Sequence, residues 1–103
     1  MKEMQEKVRK FCKKHNLDSS AEHRVLDTMS ELGEVAKEIL KASNYGKKPL
    51  KYREELKSEL GDLIYSIITI ANSFDIDLDE ALDLALEKYE KRAENGFIGS
   101  ESD

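Results

Sequence analysis

Glu31 and Glu34 stand three residues apart, Glu38 lies one turn further on, and Glu59 with Asp62 repeats the same spacing later in the chain. On a helix, positions three, four and seven apart share a face. Glu31, Glu34 and Glu38 therefore form one acidic stripe, and Glu59 with Asp62 forms a second. At about 100° per residue, Glu31 falls within roughly 40° of Val35, and Glu59 within roughly 20° of Ile70 and 40° of Leu63. Both stripes thus border apolar faces, and antiparallel packing of the two helices lets them converge. Two like charges about 4 Å apart repel by about 4 kcal/mol at an effective dielectric near 20, so converging carboxylates demand a counter-ion. Hard divalent cations with oxygen ligands answer that need. Mg²⁺ takes a few carboxylates plus waters and substrate phosphates, whereas structural zinc prefers Cys or His. With His15, His23 and Cys12 as the only candidates, zinc is disfavoured.

The alternative for any single Glu-x-x-Glu is a solvated face with ion pairs, here Glu34 with Lys37 and with Lys41 nearby. Two acid pairs of the same form, each enclosing Leu-Gly, make that reading less economical. Gly33 and Gly61 fall in mid-helix, where glycine costs about 1 kcal/mol relative to alanine. Close approach of two backbones is the expected reason. A ferritin-like di-iron site is excluded because it needs Glu-x-x-His pairs, which the sequence lacks.

Four helices must position these acids. The first spans about Lys2 to His15, with Met4, Val8, Phe11 and Cys12 at helical spacing, and ends in the turn Asn16-Leu17-Asp18. The second starts after Ser19 or Ser20, where Ser19 and Glu22 have capping-box spacing, and runs to about Ala42. Its apolar stripe comprises Val25, Leu26, Met29, Leu32, Val35, Ala36, Ile39 and Leu40. A basic loop, 43–50, holds the only proline. The third helix, about Lys51 to Ser73, is so rich in Leu and Ile that it is expected to be the central, most buried one. Asp77 and Glu80 cap a fourth helix to about Glu94, with Leu78, Ala81, Leu82, Ala85, Leu86 and Tyr89 inward. Residues 97–103 are expected to form a flexible tail after a single domain, 1–96.

The bulk properties agree with an all-α fold. Of the 103 residues, 39% are hydrophobic and 38% charged, with one Pro and no Trp. That suits helices with well-solvated outer faces. A chain this short buries a limited core, so oligomerisation is expected to complete the bundle. The net charge of −5 argues against a nucleic-acid partner held through its phosphates. No segment reaches the roughly 20 apolar residues of a membrane span, and the N-terminus has no signal-peptide core, so a cytoplasmic location is expected. The lone Cys12 forms no intrachain disulfide and reads as a small apolar filler.

Together, ELGE, ELGDL, the apolar helix, ID-x-x-EAL and KYEKR resemble the MazG-like, all-α nucleoside triphosphate pyrophosphohydrolases, from about Leu26 through Gly96. The resemblance implies a four-helix MazG-like bundle and Mg²⁺-dependent hydrolysis of (d)NTP to (d)NMP and pyrophosphate, with Mn²⁺ as a substitute ion. It assigns Glu31, Glu34, Glu59 and Asp62 as metal ligands. Glu34 or Glu38 is then expected to orient an activated water toward the α-phosphorus, consistent with the chemistry that metals supply to phosphoryl transfer. Lys88 and Arg92, four apart on the last helix, are expected on the triphosphate and departing pyrophosphate. The alternative for them is an ion-pair ladder with Glu87, Glu90 and Glu94. The family also implies a homodimer or homotetramer with sites near subunit contacts.

Where some relatives carry a nucleotide-contacting asparagine, this chain has Thr69, with Asn72 three positions on. A non-catalytic nucleotide- and Mg²⁺-binding regulatory module is the competing function, and a purely structural scaffold the third.

Overall fold

The computed structural model describes residues 1–96, so the expected tail, 97–103, lies outside the described residues. Four helices occupy them: α1 (Lys2–Lys14), α2 (Ala21–Ala42), α3 (Glu55–Ser73) and α4 (Leu78–Glu94). The order and the all-α class agree with the sequence reading. Among the described residues, no helix is long and apolar enough to cross a membrane.

Side-chain caps set two of the starts. Ser20, rather than Ser19, caps α2 by accepting the His23 N–H, and Asp77 caps α4 by accepting from Asp79 and Glu80. Residues in the left-handed region supply the reversals: Asn16 after α1, then Asn44, Tyr45 and Gly46 after α2, and Asp75 before α4. The third helix begins four residues later than its apolar pattern predicts. The Lys51 N–H donates back to the Ala42 carbonyl at 3.1 Å and Arg53 pairs with Glu38 of α2 at 3.3 Å, which ties 51–53 to the end of α2. Those residues are thereby withheld from the helix that Lys51 was expected to open.

The central pair is α2 with α3, and α1 packs against α3 and α4. A buried Gln5 fastens that arrangement. Its side-chain amide donates to the Ile76 carbonyl at 2.7 Å and to Asn72 Oδ1 at 3.1 Å, while its Oε1 accepts the Leu78 N–H at 2.9 Å. Asn72 returns a bond from Nδ2 to the Gln5 carbonyl at 3.1 Å. Asp79 meanwhile accepts the Lys2 N–H at 3.0 Å, so α4 caps the start of α1.

Burial is concentrated on α3, as expected, but it stops halfway along that helix. Ser66, Ile68, Thr69 and Ala71 are buried, whereas Leu60 and Ile67 are exposed. Leu60, Gly61, Leu63, Ile64 and Ile67 line an open apolar groove of about 350 Å³. Much of the α2 stripe is open too, with Leu26 and Met29 over 60% exposed at 68% and 64%. On α4, Leu82, Leu86 and Tyr89 are exposed rather than inward. Among the described residues no element covers these faces. The chain's radius of gyration is 16.6 Å, against about 13 Å for a compact domain of this length.

The close-approach explanation of Gly33 and Gly61 fails within one chain. A Cβ placed on either glycine would meet nothing within 4 Å.

Candidate metal centre

Two neighbouring helices build the site. Glu31 sits mid-way along α2, and Glu59 with Asp62 lies in the first half of α3. Glu31 meets Glu59 and Asp62, while Glu38, further along α2, meets Arg53, earlier in the chain than α3. This reversed register is that of an antiparallel pair, and it makes the two acid stripes converge.

Glu31, Glu59 and Asp62 each offer a carboxylate oxygen, and these oxygens all lie within 4.8 Å of one another. Opposite ligands of an octahedral Mg²⁺ stand about 4.2 Å apart, so small side-chain rotations close the group around one ion. Glu31 and Glu59 are half-buried and Asp62 is exposed, which leaves one side of the group open to solvent. The donor set is all hard oxygen, with no thiol or imidazole. It fits Mg²⁺ or Mn²⁺ and not a structural zinc ion.

The electrostatics agree with the geometry. The Glu31 pKa is raised above its usual 4.5, first by desolvation and then by the charges of Asp62, Glu59, Glu34 and Asp27. A carboxylate pressed by four others is destabilised as an anion until a cation arrives.

The remaining expected residues are placed differently. Glu34 is exposed and belongs to the field acting on Glu31, but its oxygens fall outside the three-acid group. It makes no ion pair with Lys37 or Lys41 among the described residues. Glu38 is buried, 6% exposed, and its Oε2 lies 3.3 Å from Arg53 Nε. On α4, Lys88 Nζ and the Arg92 guanidinium stand 5.9 and 5.6 Å from the Tyr89 ring centre. The ion pair found there joins Lys91 to Glu87 at 3.8 Å, and Lys88 makes none of the expected pairs with Glu87, Glu90 or Glu94 among the described residues. Asn72, a candidate for nucleotide contact, has its amide engaged by Gln5 and Arg9.

Sequence reasoning missed Gln5 and Arg53. Gln5 gave no signal, because its partners are 67 to 73 positions away. Arg53 was obscured by the expectation that α3 starts before it.

The family model of the MazG nucleotide pyrophosphohydrolase domain matches residues 19–97. YpjD of Bacillus subtilis is 39% identical over 74 residues, an alignment that spans 69% of this chain and 65% of that protein's length. A crystal structure of YpjD from Bacillus subtilis, provisionally named a pyrophosphatase, is similar with a TM-score of 0.74 and 32% identity. That similarity covers 89% of this chain and 94% of that one.

Proposed function

Because the chain belongs to the MazG nucleotide pyrophosphohydrolase domain family, we propose that it hydrolyses nucleoside triphosphates to the monophosphate and pyrophosphate, with Mg²⁺ as its ion and Mn²⁺ as a substitute. The observation that carries this reading is the convergence of Glu31, Glu59 and Asp62 across two helices. These three residues would hold the ion, with Glu34 as the fourth ligand. Bound there, a divalent cation neutralises phosphate charge and lowers the pKa of a water.

The chain's own groups supply the rest. Glu34, exposed beside the cluster, is the better placed of the two acids proposed to orient the attacking water, since Glu38 is turned to Arg53. Its carboxylate accepts a hydrogen bond from the water and aims the oxygen at the α-phosphorus. Lys88 and Arg92 take the outer phosphates and stabilise departing pyrophosphate. Since the strongest packing partner of α4 is α1 rather than the acid-bearing pair, this assignment puts the site at a contact between subunits.

A homodimer or homotetramer is the proposed assembly. The chain exposes 8106 Å², against about 5,900 Å² for a compact monomer of its mass, and the excess is the size of an obligate interface. The α3 groove around Gly61 is the face assigned to a second copy. A nucleotide substrate also agrees with the cytoplasmic location expected from the sequence.

The experiment is pyrophosphate release from a panel of standard, deoxy and damaged triphosphates with and without Mg²⁺. Release that requires Mg²⁺ and disappears in Glu59→Gln is expected. Mg²⁺-dependent binding without release would turn the reading to the regulatory module.

A further inference from the structure

Two turns along α2 from Glu31, a second cavity of about 230 Å³ opens where the end of α2, the 43–54 connection and the start of α3 meet. Its walls include Ile39, Leu50, Tyr52 and Leu56, and its charged groups include Glu38 and Arg53. Glu38 is the unusual member. Its side chain is 7% exposed, yet Oε2 accepts no hydrogen bond from the described residues. Arg53 balances the charge from 3.3 Å, but its Nη2 donates instead to Glu55 Oε2 at 3.1 Å. A buried carboxylate with a neighbouring charge and no directed donor is an incomplete arrangement, because an ionised carboxylate can only accept. The last torsion of a glutamate is broad and two-fold, so the group can turn to meet a pair of donors.

We propose that this cavity is a nucleobase site selective for guanine, with Glu38 as the acceptor of its N–H edge. The inference deepens the nucleotide reading above and rests on it for the phosphate end of the ligand. The distance fits, since Glu38 lies seven residues, about 10 Å, along α2 from Glu31, a span that the α-phosphate and sugar of a nucleotide can bridge.

The chemistry selects among bases. Guanine sets two adjacent donors, the ring N1–H and the exocyclic amine, beside the O6 acceptor. A carboxylate next to a guanidinium presents the complementary order of acceptors and donor. Adenine and cytosine place a ring lone pair next to their amine, and that lone pair would face the carboxylate. Uracil and thymine offer one N–H between two carbonyls. Hypoxanthine keeps N1–H and O6 but lacks the amine, and should rank second. The exposed Tyr52 ring supplies a stacking face that does not distinguish bases.

The test compares kcat/KM for dGTP, dITP, dATP, dCTP and dTTP in the wild type, Glu38→Gln and Tyr52→Ala. In parallel, binding of GMP and AMP without metal is followed by NMR at Ile39 and Leu56. The wild type is expected to favour dGTP over dATP by at least about tenfold. In Glu38→Gln the side-chain amide matches the mixed donor and acceptor edge of adenine, so the preference should narrow or reverse. A merely structural role for Glu38 would not exchange the ranking. Tyr52→Ala should weaken both bases alike and leave their ratio unchanged. Equal hydrolysis of all five triphosphates overturns the base site while leaving the hydrolase reading intact. If none is hydrolysed, GMP binding that exceeds AMP binding and is lost in Glu38→Gln supports the base site and removes the hydrolase reading. Equal binding of GMP and AMP, or shifts elsewhere, overturns the base site.

Discussion

Glu31 on α2 and Asp62 on α3 bring carboxylate oxygens within 4.8 Å of each other and of Glu59. Burial is the first cause of the raised Glu31 pKa, and Asp62 is the foremost of the charges that add to it. The proton affinity of Glu31 therefore reports whether the site is empty or filled.

Without metal, Glu31 should make the protein less stable as pH rises. Its folded pKa lies above 4.5, so between 4.5 and the folded value the unfolded chain releases this proton first, and stability falls across that window. Asp79 acts oppositely. Bonds from the N-terminal amine and the Lys2 N–H hold its pKa below 3.8, so its contribution is present above 3.8 and is lost as pH falls through the folded value. Thermal melts against pH should show Glu31→Gln removing the loss above 4.5. Added Mg²⁺ should raise the wild-type Tm more than that of Glu31→Gln.

Truncating Gln5 strands the Leu78 N–H and the Ile76 carbonyl at the corner where α1, α3 and α4 meet. A buried group left without a partner costs about 1–3 kcal/mol, and these two, being part-buried, lie near the lower end. Urea denaturation of Gln5→Ala should show a loss at least that large, with the midpoint falling. An unchanged midpoint would mean that water replaces the amide.

Gly33→Ala should stabilise α2 by about 1 kcal/mol, since the added methyl meets nothing within 4 Å and the helix penalty of glycine is removed. Gly61→Ala meets the same open space within one chain but lies in the α3 groove assigned to a second copy. Its expected signature is weaker self-association in sedimentation equilibrium. Unchanged association would place the subunit contact elsewhere.

Lys88→Ala should lower kcat/KM for triphosphates by about tenfold or more, with kcat falling as well as KM rising, as loss of a charge-assisted contact to the outer phosphates and the departing pyrophosphate does. Steady-state kinetics check this. A change confined to thermal stability would return Lys88 to its contact with the Tyr89 ring.

Helical periodicity located all four helices and the two acid stripes because those features are local. Ser20 and Asp77 mark helix starts through bonds spanning two or three residues. Convergence of Glu31 with Glu59 and Asp62 followed from antiparallel packing of consecutive helices. Other features needed distant partners. Lys51 was read into α3 because nothing nearby announces that its N–H is taken by Ala42. Likewise Glu38 looked like a continuation of the acidic stripe until Arg53 placed it in a different pocket. The inward assignment of Leu82, Leu86 and Tyr89 took the apolar stripe of α4 to face the neighbouring helices of the same chain, where all three are exposed.

The most direct test uses Mn²⁺ in crystals of the protein, located by its anomalous scattering. The account predicts a peak bounded by the carboxylates of Glu31, Glu59 and Asp62, absent in Glu59→Gln crystals. Ordered Mn²⁺ at another group of residues, with these three acids free of it at saturating concentration, would contradict it.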